Sequence, residues 1–417
     1  MEIDLNALTA LTGVAWLAVV AWLVGAFLTW RGITKQKALV PVAGDRLKNA
    51  DAPSVSVLVP ARNEEHRILE SAVRSMLAQD YENLEVIAVN DRSTDMTGLI
   101  LRSIARTSSK LRVVEGVEPP AGWLGKPHAL QQALDSSRGA WVLATDADMI
   151  FAPPVVRTAM AHALAGGYDA VTLLPRVDCL SFWERVFMPA FGWFMLMAMP
   201  LERVNDPKRV EALGVGGFFL IRRAALENVG GYRAVRSDVA EDLRMAETLK
   251  RTGARLRVEY APDLVRTRMQ TDFREIWEGF TKNLFAGAKF SFVHAAAGAA
   301  GVCLVSVLPV FVAGVSAVMI ARGGGAEWVK LFVPTFAVWI VQVAIFAVVN
   351  RNSQVPAVYA LTMPLGHALF VAILLNSSVR VATGRGVTWK GRKLYERAGV
   401  RPPRRTRRTP DLPIADE

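Results

Sequence analysis

The chain has 417 residues, of which 52% are apolar and 21% charged, and its mean hydropathy is +0.26. That excludes a disordered chain, which needs low hydropathy and high charge, and a wholly soluble one, because the apolar residues gather in long uncharged runs. The net charge of +11 does not indicate nucleic acid: residues 380–417 hold 11 Lys+Arg against 4 Asp+Glu, which leaves only +4 on the rest.

Residues 5–30 form the first uncharged stretch, bounded by Asp4 and Arg31. It is long enough to cross a bilayer. Glu2 and Asp4 precede it and Arg31, Lys35 and Lys37 follow it. That polarity suits a retained anchor rather than a cleaved leader, and it places the middle of the chain in the cytoplasm. Residues 1–50 are therefore read as anchor and linker.

Residues 51–288 alternate strand and helix patterns. Buried strands are expected at 54–61, 84–91, 111–116 and 141–148, and helices at 64–79, 95–107 and 126–137. Such alternation implies an α/β domain with a doubly wound, mostly parallel sheet. Ligands bind such sheets at the carboxyl ends of the strands. Those ends carry Asn63 and Glu64, then Asp91, then Asp146 and Asp148.

Asp146 and Asp148 lie two apart, so in a strand they would point the same way and share a divalent cation. Hard oxygen ligands suit Mg²⁺ or Mn²⁺ bound together with substrate phosphates. In VNDRSTD (89–95), Asp91 is assigned to the ligand and Asp95 to capping the next helix. Gly125-Lys126 opens a helix, where the N-terminus and the lysine both favour a phosphate. His128 reads as structural. Residues 182–200, FWERVFMPAFGWFMLMAMP, read either as core packing or as an interfacial helix that admits a lipid. Glu241-Asp242 open a further helix. They are either dipole-friendly first-turn acids or a general base.

Three more uncharged stretches follow at 290–321, 331–350 and 352–379, within a membrane region of 289–380. If all three cross, the basic tail ends outside, against the positive-inside rule. The stretch 352–379, with Pro356, Pro364 and His367, is the candidate for re-entry. Residues 381–417 read as a basic, disordered tail suited to anionic lipid rather than nucleic acid. Cys179 and Cys303 support no disulfide framework and read as buried thiols.

The motifs VLVPARNEE (57–65), VNDRSTD (89–95), GKPHAL (125–130), ATDADM (144–149) and AEDLRMAETLKRTG (240–253) occur in that order. Together they resemble the inverting family 2 glycosyltransferases of the GT-A fold, over roughly residues 55–280. The anchor and the C-terminal apolar cluster look like the lipid-glycosylating branch, which includes ceramide glucosyltransferases and carotenoid- and hopanoid-associated bacterial enzymes. The closing VTWKGRKLY (387–395) is similar to the latter group.

The resemblance implies that Pro60, Arg62, Glu64 and Asp91 surround the base and ribose of a nucleotide-sugar, most simply a UDP-sugar. Lys126 would approach its diphosphate. Asp146 would bind the nucleotide-sugar and share the cation held by Asp148. Asp242 would deprotonate the acceptor, with Glu241 beside it, and Gly214, Gly216 and Gly217 would line the acceptor side. The implied protein is a multi-pass membrane hexosyltransferase with a cytoplasmic catalytic domain and a lipid acceptor. The family's QxxRW motif is absent. Only DFREIWEGFTKNLFAG (272–287) stands near its place, with Trp277, Lys282 or Asn283 as substitutes. That absence argues against a polymer synthase. A polyprenyl-phosphate glycosyltransferase and a non-catalytic membrane scaffold also compete with the single-sugar transferase.

Overall fold

The structure, a computed structural model, describes residues 5–42, 47, 52–389 and 392–394. The strands are β1 (Val55–Ala61), β2 (Leu84–Asn90), β3 (Leu111–Glu115), β4 (Trp141–Ala144), β5 (Met149–Phe151), β6 (Ala170–Leu174), β7 (Arg176–Val177), β8 (Phe219–Arg222), β9 (Leu256–Tyr260), β10 (Val265–Thr267), β11 (Val387–Trp389) and β12 (Arg392–Leu394). The α-helices are α1 (Leu5–Lys35), α2 (Leu69–Leu77), α3 (Thr97–Ala105), α4 (Gly125–Asp135), α5 (Val155–Gly166), α6 (Phe182–Ala198), α7 (Leu201–Val204), α8 (Arg223–Asn228), α9 (Glu241–Arg251), α10 (Phe273–Gly287), α11 (Phe292–Val302), α12 (Leu308–Ala321), α13 (Ala326–Asn352) and α14 (Met363–Ala382).

Seven strands form one sheet in the order β3-β2-β1-β4-β8-β6-β9. It is parallel except for β8, which runs antiparallel to β4 and β6. The expected doubly wound, mostly parallel sheet is present. Its inner strands are mainly apolar because both faces are covered. Val57, Val59, Val86 and Leu143 enter one core with Ala72, Val73 and Met76 of α2 and Val155 and Ala159 of α5. The alternate residues Leu58, Ile87, Val89 and Val142 enter the other, with Leu130 and Leu134 of α4 and Met245 and Leu249 of α9.

Two expected boundaries shift for a local reason. Helix α2 begins at Leu69 rather than at residue 64, because residues 63–65 are bonded to the neighbouring loop instead of to a helix. Glu64 N–H donates to Thr97 Oγ1 at 2.7 Å and Glu65 N–H to Asp95 Oδ2 at 3.1 Å. Strand β4 stops at Ala144, so Asp146 and Asp148 sit in the turn beyond it and the alternation argument for a shared cation does not apply.

Four helical segments are long and apolar enough to cross a membrane: Leu5–Lys35, Phe292–Ala321, Ala326–Asn352 and Ala357–Ala382. The second contains a wide π turn at Cys303–Val307, and side chains of its neighbours take up carbonyls there. Trp22 Nε1–H donates to Val305 O at 2.7 Å and Gln342 Nε2–H to Ser306 O at 3.2 Å. In an apolar medium such bonds replace those that water cannot supply.

The fourth apolar segment touches the sheet domain at both ends. Near its start, Arg185 of α6 donates to Tyr359 Oη at 3.2 Å. Near its end, Ser377 Oγ–H donates to Thr281 O of α10 at 2.5 Å. Beyond it, β11 lies against α10. Within 381–417, read from sequence as disordered, β11 and β12 pair antiparallel, and residues 395–417 of that stretch lie outside the described residues.

Helix α6 begins with a capping box, Ser181 Oγ accepting from Glu184 N–H while Glu184 accepts from Ser181 N–H. Its remainder packs on the apolar bundle. Trp193 stacks on Trp22 with ring centroids 5.3 Å apart, and its Nε1–H donates to Thr29 Oγ1 at 2.8 Å.

Candidate active site

The carboxyl ends of β1 and β2 are tied into one platform. Arg62 donates to the carbonyl oxygens of Asp91 at 2.7 Å and Arg92 at 3.1 Å. Thr94 N–H donates to Asn63 Oδ1 at 3.0 Å. Asn63 and Arg92 hold φ of +50° and +52°, a left-handed geometry that costs energy in non-glycine residues. Pro60 pairs with Val89 in the sheet register. Asp91 is buried, its Oδ1 3.3 Å from Arg92 Nε. Asp95 accepts from Thr97 N–H, at the first residue of α3, at 3.0 Å, although the N-cap position itself is Met96, without a side-chain cap bond. Desolvation pushes the Asp95 carboxyl up, but the hydrogen bonds from Thr97 and Glu65 outweigh this and hold it below the usual range. Pro60, Arg62, Glu64 and Asp91 thus share one edge of the domain.

The second cluster joins three distant segments. Lys126, the second residue of α4, places Nζ 2.6 Å from Asp146 Oδ1 and 2.6 Å from Glu241 Oε1. A cation at a helix N-terminus is unfavourable by itself; here two carboxylates compensate. Asp242 Oδ2 accepts from Gly216 N–H at 2.7 Å. Burial lowers the Lys126 ammonium, but Asp146, Glu241 and Asp242 prevail and hold it well above the ordinary lysine value. Burial pushes Glu241 up, with Lys126 acting in the opposite sense.

The glycines serve this geometry. A Cβ on Gly216 would stand 3.0 Å from Lys126 Nζ, 3.1 Å from Asp242 Oδ2 and 3.2 Å from Asp146 Oδ2. On Gly214 it would meet Asp242 O at 2.2 Å and on Gly217 the Met149 side chain at 2.7 Å. The spaces beside Gly214 and Gly217, expected to admit an acceptor, are filled by the protein itself.

Asp148 faces a different cation. Arg67 Nη1 lies 3.5 Å from Asp148 Oδ2, Nε 3.6 Å from Glu64 Oε2 and Nη2 3.2 Å from Glu275 Oε2 of α10. The turn between the two aspartates is pinned by Thr145 Oγ1–H to Gly217 O at 2.7 Å and by Thr267 Oγ1–H to Asp148 O at 3.1 Å. Among the described residues no group of three or more His, Cys, Asp or Glu side chains could hold a metal. Asp146, beside the bare face of Gly216, fits as one carboxylate ligand of Mg²⁺ or Mn²⁺, while Asp148 faces Arg67. These ions complete their shells with phosphate oxygens and water.

Two charged residues escape assignment from the sequence. Arg67 reaches partners up to 208 positions away, which periodicity does not reveal. Lys282 is one of three substitutes for the missing motif. Its electrostatic neighbours are Lys126, Glu241, Asp146 and Asp242. Burial first, and Lys126 second, push its ammonium down to about 8, while Glu241, Asp146 and Asp242 act in the opposite sense. Trp277 packs instead against Phe273, with ring centroids 6.0 Å apart. His128 is buried, with Nδ1 3.1 Å from Gln132 Nε2, in the structural place expected of it.

The family described as Glycosyl transferase family 2 matches residues 56–230. The 4,4'-diaponeurosporenoate glycosyltransferase of Staphylococcus aureus (strain MRSA252) is 26% identical over 244 residues, 58% of this chain and 63% of that one. Its counterpart in strain USA300 is 27% identical over the same shares. The match therefore spans less than two thirds of these relatives. Among solved structures, the mannosyltransferase PcManGT from Pyrobaculum calidifontis, in complex with GDP-Man and Mn²⁺, superposes with a TM-score of 0.50 at 20% identity, over 89% of this chain and 98% of that one. This likeness establishes a common fold.

Proposed function

We propose, from the premise that residues 56–230 form a glycosyl transferase family 2 domain, that the chain is a membrane-bound hexosyltransferase. It moves one sugar from a nucleoside diphosphate donor, UDP before others, to a hydroxyl or carboxyl group of a lipid. The observation that carries this reading is the convergence of Lys126, Asp146, Glu241 and Asp242 around Gly216 at the carboxyl edge of the sheet.

Pro60, Arg62, Glu64 and Asp91 flank the base and ribose, and Lys126 approaches the diphosphate. Asp146 and Asp148 would hold a divalent cation, which would supply charge neutralisation at the departing phosphate. Asp242, oriented by Gly216 N–H, takes the acceptor proton as the acceptor oxygen bonds to the anomeric carbon. The bond from that carbon to the phosphate oxygen breaks, and its electron pair leaves on the diphosphate. A single displacement inverts the anomeric carbon.

The lipid acceptor is supported by α6, which runs from its Glu184–Arg268 ion pair into the apolar bundle, and by relatives named for 4,4'-diaponeurosporenoate. Residues 51–288 are the catalytic unit and 289–380 the membrane region. Three segments cross the bilayer: α1, Phe292–Ala321 and α13. The segment Ala357–Ala382 enters and leaves on the catalytic side, as the contacts at its two ends support. Arg380 and Arg385 then lie on the side of Arg31 and Lys35, which pair with Glu202 at 2.9 Å each, and the positive-inside conflict disappears.

The test is product analysis with labelled UDP-sugars and total membrane lipid. A single-sugar glycolipid with inverted anomeric configuration is expected. Long polymers, or transfer confined to polyprenyl phosphates, would overturn the reading.

A further inference from the structure

Arg67 stands where three segments meet. Its side chain is 15% exposed and faces three carboxylates. Glu64, three positions earlier, lies at 3.6 Å. Asp148, in the turn between β4 and β5, lies at 3.5 Å, and Glu275, in the first turn of α10, at 3.2 Å. Arg67 Nη1–H also donates to Met269 O at 2.5 Å, on the segment that leads from β10 into α10. Glu275 is held from its own side: it accepts from Thr271 N–H at 2.9 Å and from Thr271 Oγ1–H at 3.2 Å.

The distances separate these contacts. The bond to Met269 O anchors Arg67 on the α10 side, whereas the approach to Asp148, at 3.5 Å, is longer than a hydrogen bond and acts through charge. One guanidinium among three carboxylates leaves two negative charges around Arg67 uncompensated. A divalent cation at Asp148 would close that balance with Arg67 still in the cluster. Two cations beside one carboxylate repel each other, however. The guanidinium would therefore give up Asp148 and keep Glu275, Glu64 and Met269 O.

We propose that Arg67 is a positioning residue for the cation site: it stands in for the divalent ion at Asp148 until the ion binds, and then yields that carboxylate. Glu275 sets how strongly it competes, because it draws the guanidinium towards α10 and away from Asp148. This rests on the nucleotide-sugar reading above, with its cation on Asp146 and Asp148.

The test is Mn²⁺ binding to the full chain in detergent with UDP present, read from the paramagnetic resonance signal of the free ion. Arg67→Met removes a competing charge and should tighten Mn²⁺ binding about fivefold or more, the lower end of coupling between two sites. Arg67→Lys keeps the charge and should stay near wild type. Glu275→Gln still accepts from Thr271 but releases Arg67 towards Asp148, so it should weaken Mn²⁺ binding, the opposite sign. In the Arg67→Met background the same Glu275→Gln change should lose most of its effect. A residue that only supports the fold would weaken binding in both single variants. Unchanged or weaker Mn²⁺ binding in a folded Arg67→Met protein overturns the inference. So does a Glu275→Gln effect of equal size with and without Arg67. If the wild-type chain binds no Mn²⁺ in the presence of UDP, the cation reading itself fails and takes this inference with it.

Discussion

The Lys126 ammonium stands 2.6 Å from the Glu241 carboxylate and so joins the first turn of α4 to the first turn of α9. The same ammonium holds Asp146 at 2.6 Å. Three motifs that are separate in sequence thereby become one site, and the adjacent Asp242 is aimed by Gly216 N–H.

Asp242→Asn removes the proposed base without removing the side chain. Turnover should fall about 10²–10⁴-fold, with donor binding preserved because the amide still accepts from Gly216. Normal turnover in a variant that binds donor normally would assign the base elsewhere.

Gly216→Ala tests the bare face of the site. The added Cβ would press on Lys126, Asp146 and Asp242 at 3.0–3.2 Å. The atoms it meets are side-chain ends, so the fold should survive with little change in Tm. Turnover should fall about 10–100-fold, as small misplacements of reacting groups do. Unchanged kcat would show that this face is not occupied during the reaction.

Glu184 gives a pH prediction. Its side chain accepts from Arg268 at 2.9 Å and from Ser181 N–H. Burial raises its carboxyl, but these bonds outweigh that and hold it below the ordinary 4.5. A depressed folded-state value means the stabilisation is present above about 4.5 and is lost as pH falls below it. Glu184→Gln should therefore lower stability by about 1–3 kcal/mol at neutral pH, and the gap to wild type should close on acidification. Thermal unfolding across pH 3–8 reads this (roughly the working range of the carboxylates); a gap independent of pH would contradict it.

The crossing pattern is checked by thiol labelling in intact vesicles, in a Cys179→Ala and Cys303→Ala background. Gly325→Cys, between α12 and α13, where a side chain meets nothing within 4 Å, should label from the side opposite the active site. Arg385→Cys should label from the same side as the site. Labelling of both from one side would mean that the segment Ala357–Ala382 crosses.

The sheet is legible in the sequence because its inner strands are covered on both faces, and runs such as SVSVLVPA admit few other readings. The start of α2 is not, because Asn63, Glu64 and Glu65 spend their hydrogen bonds on the loop before α3. The aspartates 146 and 148 stand out by type and place, yet they lie past the strand and face different cations, Lys126 and Arg67. Lys282 is one name among three in the sequence, and only the fold brings it into the field of Lys126, Asp146, Glu241 and Asp242. Periodicity reports which face of an element is buried, not which distant charge it meets there.

The most direct measurement is nucleotide release from a panel of UDP-, GDP- and dTDP-sugars by the purified chain in detergent, with Mn²⁺ or Mg²⁺ and with or without membrane lipid. Release from one donor is predicted, dependent on the metal, raised by lipid and lost in Asp148→Ala. No release from any donor under any of these conditions would contradict the assignment as a glycosyltransferase.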